Sequence, residues 1–251
     1  MVTSPTREMI RDLRKLWKEA FGDTDEYLDV FFGTAFAPHR CRCIIADDRV
    51  AAALYVLDCS LEGEKIAYIY AVATAEEYRG RGLCRVLMSD TEAYLKEKDY
   101  AGMILVPGSL ELSRMYEKMG YFVCSTIGEF TCEADSDGCE LREISAEEYG
   151  RLRRELLPRG AVLQEGECLS LLGKTAKLYC GDGALLAAHG EGDTLTVLEL
   201  LGDKTKAGKI LSSLGYKKGF FRTPGEDRDF AMYKNLGSCA APTYFGLAFD
   251  L

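Results

Sequence analysis

The stretch best equipped for chemistry is Tyr78-Arg79-Gly80-Arg81-Gly82-Leu83-Cys84-Arg85, where three arginines and two glycines lead straight into a helical apolar period. A loop that enters a helix leaves the first amides without carbonyl partners, and the positive end of the helix dipole lies behind them. Gly80 and Gly82 let the backbone approach a ligand closely, and Arg79, Arg81 and Arg85 add cations to a chain of net charge −9. This is chemistry for holding a phosphate. The same residues also fit a surface turn before an amphipathic helix, and both readings stay open at this level.

Other candidates carry less. Gly202-Asp203-Lys204-Thr205-Lys206-Ala207-Gly208-Lys209-Ile210 has the look of a nucleotide loop, but it is one residue too long and puts Ile210 where a magnesium-binding Ser or Thr belongs. The ten cysteines are spread along the chain, with C-x-C at Cys41 and Cys43 as the tightest pair, so reduced thiols are expected rather than a metal site or a disulfide framework. The two histidines, His39 and His189, lie outside every motif.

The elements that must position the glycine-arginine loop follow from periodicity. Residues 5–22 and 25–36 have helical spacing, and segments 43–46, 50–57 and 66–74 read as a three-stranded meander. The loop 76–82 follows, then a helix with Leu83, Val86, Leu87 and Tyr94 on one face. A short strand at 103–106 comes next, then a helix with Leu112, Met115, Tyr116 and Met119 closed by Gly120, and residues 121–131 read as paired strands. The polar run Ala134-Asp135-Ser136-Asp137-Gly138 marks a domain boundary, dividing the chain into 1–134 and 139–251. Beyond it the order starts again: a capping box at Ser145 and Glu148, a second helix carrying Leu169, Leu172, Ala176 and Tyr179, strands at 184–189, 194–200 and 218–223, and a helix at 207–214. Strands at 230–233 and 244–249 close the chain. Leu105-Val106-Pro107-Gly108 and Arg222-Thr223-Pro224-Gly225 occupy matching places in the two halves, which suggests a degenerate duplication.

Composition excludes several classes. With 47% hydrophobic residues over 251 positions the chain is globular, and 31 Lys plus Arg against 40 Asp plus Glu is the wrong field for nucleic acid. No window approaches the roughly 20 apolar residues of a membrane span, and the polar start lacks a leader pattern, so a cytoplasmic protein is expected.

The run from Val72 to Leu87 resembles the acyl-CoA-binding motif of the GNAT (Gcn5-related N-acetyltransferase) superfamily, here Arg79-Gly80-Arg81-Gly82-Leu83-Cys84, with Cys84 where the family has Gly or Ala. Met115-Tyr116-Glu117-Lys118-Met119-Gly120-Tyr121-Phe122 is similar to the family's Tyr-Glu-Lys-x-Gly-Phe element. The resemblance covers residues 1–132. It implies a GNAT fold, a mixed and mostly antiparallel α/β sheet flanked by helices, with residues 139–251 as a smaller, degenerate GNAT-like α/β domain that binds no CoA and walls the acceptor site.

The resemblance also implies the reaction: an N-acyltransferase moves acetyl from acetyl-CoA to a small-molecule amine by direct attack through a tetrahedral intermediate, without metal. Pantetheine would pair with the backbone of Val72, Ala73 and Thr74, and the pyrophosphate would meet Arg79, Gly80, Arg81, Gly82, Leu83, Cys84 and Arg85. Ser109 sits where many relatives place a cofactor-contacting Asn. Tyr116 matches the general acid that protonates the leaving sulfur, though its place on an apolar stripe equally suits the core. No base is assignable: Tyr68 and Tyr70 on the central strand are candidates but poor bases, and the chain end at Asp250-Leu251 is another candidate through its carboxylate. The alternative is a non-catalytic GNAT module that binds acyl-CoA or has lost it, and a transferase using aminoacyl-tRNA is opposed by the charge.

Overall fold

The computed structural model describes residues 1–237 and 239–249. The chain divides into two compact units, Met1–Phe122 with Tyr233–Ala240, and Val123–Met232 with the segment from Ala241 onward.

The first unit opens with strand β1 (Val2–Thr3), helix α1 (Ile10–Phe21) and helix α2 (Asp25–Thr34). Gly22, at φ 77°, ends α1, and the Thr24 hydroxyl caps α2 by accepting the Tyr27 amide at 3.2 Å. The meander is β2 (Cys41–Ala46), β3 (Arg49–Leu61) and β4 (Glu64–Thr74), paired antiparallel. Helix α3 (Leu83–Lys96) crosses over to β5 (Tyr100–Leu105), parallel to β4, and helix α4 (Leu110–Glu117) follows. The sheet order is β1-β2-β3-β4-β5.

Side-chain alternation sorts the two faces. Arg42 of β2 pairs with Asp90 and lies over the Tyr94 ring, both on α3, so α3 covers that face. Tyr55, one residue out of phase with Leu54 opposite Arg42, packs against Trp17 at 4.9 Å and Phe31 at 5.1 Å, so α1 and α2 cover the other.

The second unit repeats this order. Strands β6 (Phe122–Glu133) and β7 (Arg142–Glu143) precede helix α5 (Ala146–Leu156), strand β8 (Leu163–Gln164) and helix α6 (Glu167–Thr175). A meander β9 (Lys177–Gly181), β10 (Ala184–Glu191) and β11 (Thr194–Gly202) leads through helix α7 (Ala207–Leu214) to β12 (Lys218–Pro224), parallel to β11, and then β13 (Arg228–Asn235). Its sheet order is β6-β12-β11-β10-β9-β7. The Ser145 cap holds, with its hydroxyl accepting the Glu148 amide at 3.1 Å.

Three elements depart from expectation. Residues 122–133 form one strand rather than a pair, because β12 supplies the partner along most of its length. Ala176 and Tyr179 fall outside α6, since the helix stops at Thr175 and the following residues join the sheet as β9. Tyr244–Phe249 is not a regular strand: it is buried, but its only ladder contact among the described residues is a bridge from Tyr244 to Ala161. The compact units divide at Phe122, the first residue of β6, ahead of the polar 134–138 run.

Candidate functional site

The end of β4 is where the predicted residues meet. Pairing between β4 and β5 runs from Lys65↔Tyr100 to Tyr68↔Ile104 and stops there, although β4 continues to Thr74. On the β3 side the register slips between Tyr55↔Tyr70 and Ala53↔Ala73, so two residues of β4, Ala71 and Val72, face Leu54 alone. This β-bulge puts Ala71 at φ 47°, a left-handed conformation that costs an L-residue about 1–2 kcal/mol and is retained where it re-aims the chain. Tyr70, Ala71, Val72 and Thr74 are half-buried, so the edge that β5 leaves carries accessible backbone.

The glycine-arginine loop joins this edge to α3. Tyr78 anchors it, buried, its hydroxyl donating to Asp47 Oδ2 at 2.6 Å. Gly80 (φ 74°) and Gly82 (φ 77°) both take left-handed conformations, and a Cβ at either would meet only open space. Their glycine identity therefore serves backbone direction rather than packing. The first intrahelical bond runs from Val86 N–H to Gly82 C=O at 3.1 Å, so the amides of Leu83, Cys84 and Arg85 precede the ladder, and Gly82 brings no capping side chain. Arg79 donates to Thr74 C=O at 3.1 Å and Arg81 to Glu77 C=O at 2.8 Å, which stiffens the loop with its cations at the surface. Arg85 lines a cavity of about 170 Å³ with Glu92, Lys118, Tyr121 and Lys234.

Tyr116 is 6% exposed and packs edge-on to Tyr121 with ring centroids 5.7 Å apart. Burial, then the nearby Cys84 thiol, pushes its pKa well above the ordinary phenol value, which couples α4 to the first turn of α3. Burial likewise raises the Cys84 thiol. Ser109 caps α4, its hydroxyl accepting the Leu112 amide at 3.2 Å. The chain end, Asp250-Leu251, lies outside the described residues.

Sequence reasoning missed three parts. The bulge has no glycine to announce it. Lys234, from far along the chain, reaches Met119 C=O at 2.7 Å and Glu92 at 2.5 Å. Tyr27, from α2, brings its hydroxyl to 2.6 Å from that of Tyr70.

The corresponding loop of the second unit is differently equipped. Asp203 Oδ1 accepts the Thr205 amide at 3.0 Å and its hydroxyl at 2.6 Å, so a carboxylate already occupies the place before α7. The bulge recurs, with register slipping across β10 and β11 at Leu198, and β11 leaves β12 after Val197↔Phe221.

Among the described residues no helix is long and apolar enough to cross a membrane, and no cluster of His, Cys, Asp and Glu could hold a metal. Residues 2–124 match the family described as acetyltransferase (GNAT) domain. Comparison with curated proteins finds no match. Among solved structures, the chain is similar to a GCN5-related N-acetyltransferase from Anabaena variabilis (TM-score 0.74, 18% identity, 95% of this chain and 73% of that one). It is also similar to one from Kribbella flavida (0.70, 16%, 94% and 72%). A tandem GNAT protein from the clavulanic acid biosynthesis pathway superposes over 95% of this chain and 98% of its own, with TM-score 0.56 and 12% identity. A family match over 2–124 and a shared fold across nearly the whole length lead to one conclusion: residues 2–124 form a GNAT acetyltransferase domain, in a chain that shares the fold of GNAT proteins along nearly its whole length.

Proposed function

We propose that the protein is an acetyl-CoA-dependent N-acetyltransferase acting on the amine of a small molecule. One observation carries this reading: a strand that parts from its parallel neighbour, bulges at Ala71 and Val72, and runs through Gly80 and Gly82 into the uncapped start of α3. An acyl-CoA needs these features together, since its amide-bearing arm pairs with a free strand edge and its pyrophosphate with helix amides. Backbone of Val72, Ala73 and Thr74 suits the arm. The amides of Leu83, Cys84 and Arg85, approached over Gly80 and Gly82 and flanked by Arg79, Arg81 and Arg85, suit the pyrophosphate. Cys84, small and half-buried, leaves this turn open. The Ser109 hydroxyl caps α4 by accepting the Leu112 amide, and its proton and second lone pair are left for the cofactor.

The neutral amine nitrogen adds to the acyl carbon to form a tetrahedral intermediate, which collapses as the carbon–sulfur bond breaks; Tyr116 gives its phenolic proton to the departing sulfur, and the nitrogen releases one proton to solvent, from which Tyr116 is reprotonated. Its raised pKa keeps the phenol protonated at neutral and moderately alkaline pH, where an amine has a neutral fraction. The second unit, with its repeated order and its Asp203-filled loop, fits a diverged GNAT-like copy that takes no CoA.

The test has two arms. Saturation with acetyl-CoA at about 100 times its Kd should stabilise the protein by roughly 2.7 kcal/mol, with ATP and NAD inert. Thiol release from acetyl-CoA in the presence of an amine panel should then fall about 10²–10⁴-fold in Tyr116→Phe at unchanged acetyl-CoA affinity. Stabilisation without turnover on any amine makes the protein a non-catalytic acyl-CoA module. No stabilisation removes the reading.

A further inference from the structure

The cavity beside the first turn of α3 offers more positive charge than a pyrophosphate on the helix amides would use. Arg85, Ser89 and Glu92 line it from one face of α3, at the helical spacing i, i+4 and i+7, and Lys118 and Lys234 close the other side. All of it belongs to the first unit, since Lys234 lies in the returning segment Tyr233–Ala240. Its volume of about 170 Å³ holds a phosphoryl group and several waters, each water occupying about 30 Å³.

Three cations face one carboxylate here, in a chain whose net charge is −9. That carboxylate is already engaged, because Glu92 accepts from Lys96 at 2.8 Å and from Lys234 at 2.5 Å. Arg85 and Lys118, in contrast, make no hydrogen bond or ion pair among the described residues, whereas nearby Arg42 pairs with Asp90, Arg79 donates to Thr74 C=O and Arg81 to Glu77 C=O. Lys234 is the fixed member of the three. It is half-buried, held between Met119 C=O at 2.7 Å and Glu92, with its ammonium 5.9 Å from the Tyr121 ring centroid. An ammonium has three protons and two are used, so one remains. A preorganised ammonium with two further cations beside it suits a phosphoryl dianion.

The acyl-CoA reading supplies that anion. Arg85 takes part twice: its amide is one of the three that precede the α3 ladder, which the reading assigns to the pyrophosphate, and it also lines the cavity. In CoA the pyrophosphate ends on the 5′ carbon of a ribose whose 3′ oxygen carries a separate phosphate, so a second dianion lies one sugar beyond the first. We propose that Arg85, Lys118 and Lys234 hold this 3′-phosphate, so that the protein discriminates CoA from 3′-dephospho-CoA. The inference rests on the acyl-CoA reading and adds to it which form of the cofactor is taken.

Calorimetric titration of the full-length protein with CoA and with 3′-dephospho-CoA reads this without turnover. The wild type should bind CoA about tenfold or more tightly, the share of affinity that a hydrogen bond between charged groups supplies. Lys118→Gln should lose most of that ratio by weakening CoA alone, with the melting temperature unchanged because the side chain is exposed. Lys234→Met also strips Glu92 of a partner, so its effect is read from the same ratio, in which damage common to both compounds cancels; the ratio should again fall toward one. In steady state Lys118→Gln should raise the KM for acetyl-CoA about tenfold at unchanged kcat. Equal affinity of the wild type for the two compounds overturns the proposal and leaves the acyl-CoA reading standing, and so does a Lys118→Gln protein that weakens both alike or neither. Binding of neither compound defeats the reading and the proposal together. Inorganic phosphate is the control for a free anion: if it raises 3′-dephospho-CoA to the affinity of CoA, the cavity takes its phosphate from solution and the assignment to the cofactor is overturned.

Discussion

Replacing Glu199 by Gln should be among the most damaging conservative changes in the second unit. The Glu199 side chain is fully buried on β11, directly after the bulge. Arg153 donates to it through Nε at 2.6 Å and Nη2 at 3.0 Å, Tyr149 through its hydroxyl at 2.9 Å, and Tyr244 at 3.1 Å. Burial by itself would pull the Arg153 guanidinium down, and the Glu199 carboxylate more than offsets this, so the net displacement is upward and the guanidinium stays charged. An amide of the same shape keeps one acceptor, turns its other end into a donor facing donors, and leaves Arg153 charged at 2% exposure. Removing one member of such a pair costs about 3–5 kcal/mol, which at roughly 2–4 °C per kcal/mol lowers the melting temperature by on the order of 10 °C. Differential scanning calorimetry of the wild type, Glu199→Gln, Arg153→Met and the Glu199→Leu/Arg153→Met double variant measures it. The double variant should recover most of the loss, because a neutral pair leaves no stranded charge. A Glu199→Gln protein within about 1 kcal/mol of wild type would refute the reasoning.

Gly82→Ala should cost about 1–2 kcal/mol, since φ is 77° and the new methyl group touches nothing that could repay it; titration should also show about tenfold weaker acetyl-CoA binding as the loop turns its amides away. Gly102→Ala would set a Cβ 2.1 Å from the Tyr233 hydroxyl oxygen, so denaturant unfolding should register a loss of about 1–3 kcal/mol, and combining it with Tyr233→Ala should cost less than the two changes summed. Glu129 is held below its ordinary value of 4.5 by its hydrogen bonds from Arg228, Nε at 2.6 Å and Nη2 at 2.7 Å, and secondarily by Arg222. Its stabilisation is therefore present above pH 4.5 and is lost as pH falls through the lowered value, so Glu129→Gln should destabilise at pH 7 and converge with wild type in acid.

Much of this architecture is written locally. The meander, the helix after Gly82, the Ser145 cap and the repeated order of the second half follow from apolar period and turn residues, which act over a few positions. The chemistry-bearing loop was legible for the same reason, because glycine at a left-handed φ and an uncapped helix start are local demands. What could not be read depends on distant packing. Ala71 bulges without a glycine because the flanking β3 and β4 registers force it. Tyr27 and Tyr70 belong to a helix and a strand, and only the packing of α2 on the sheet brings their hydroxyls together. Tyr244–Phe249 reads as a strand by composition, yet its backbone is tied to the 160–164 loop and to side chains: Val162 N–H donates to Tyr244 C=O, Gln164 meets both backbone groups of Leu247, and the Ser125 hydroxyl takes the Phe245 amide.

The return of Tyr233–Ala240 to the first unit has a consequence for how the protein is made. Gly102 is bare because the Tyr233 ring lies over it, Leu236 and Gly237 donate to Ala101 C=O, and Lys234 closes on Glu92. A nascent chain that has emerged to Phe122 has every catalytic candidate of the first unit but lacks the strand that completes its sheet edge. About 110 further residues must be translated before Tyr233 appears, roughly 5–20 s at ordinary elongation rates. During that interval the first unit waits with an open edge beside β5, and it is finished only after the second half has been synthesised.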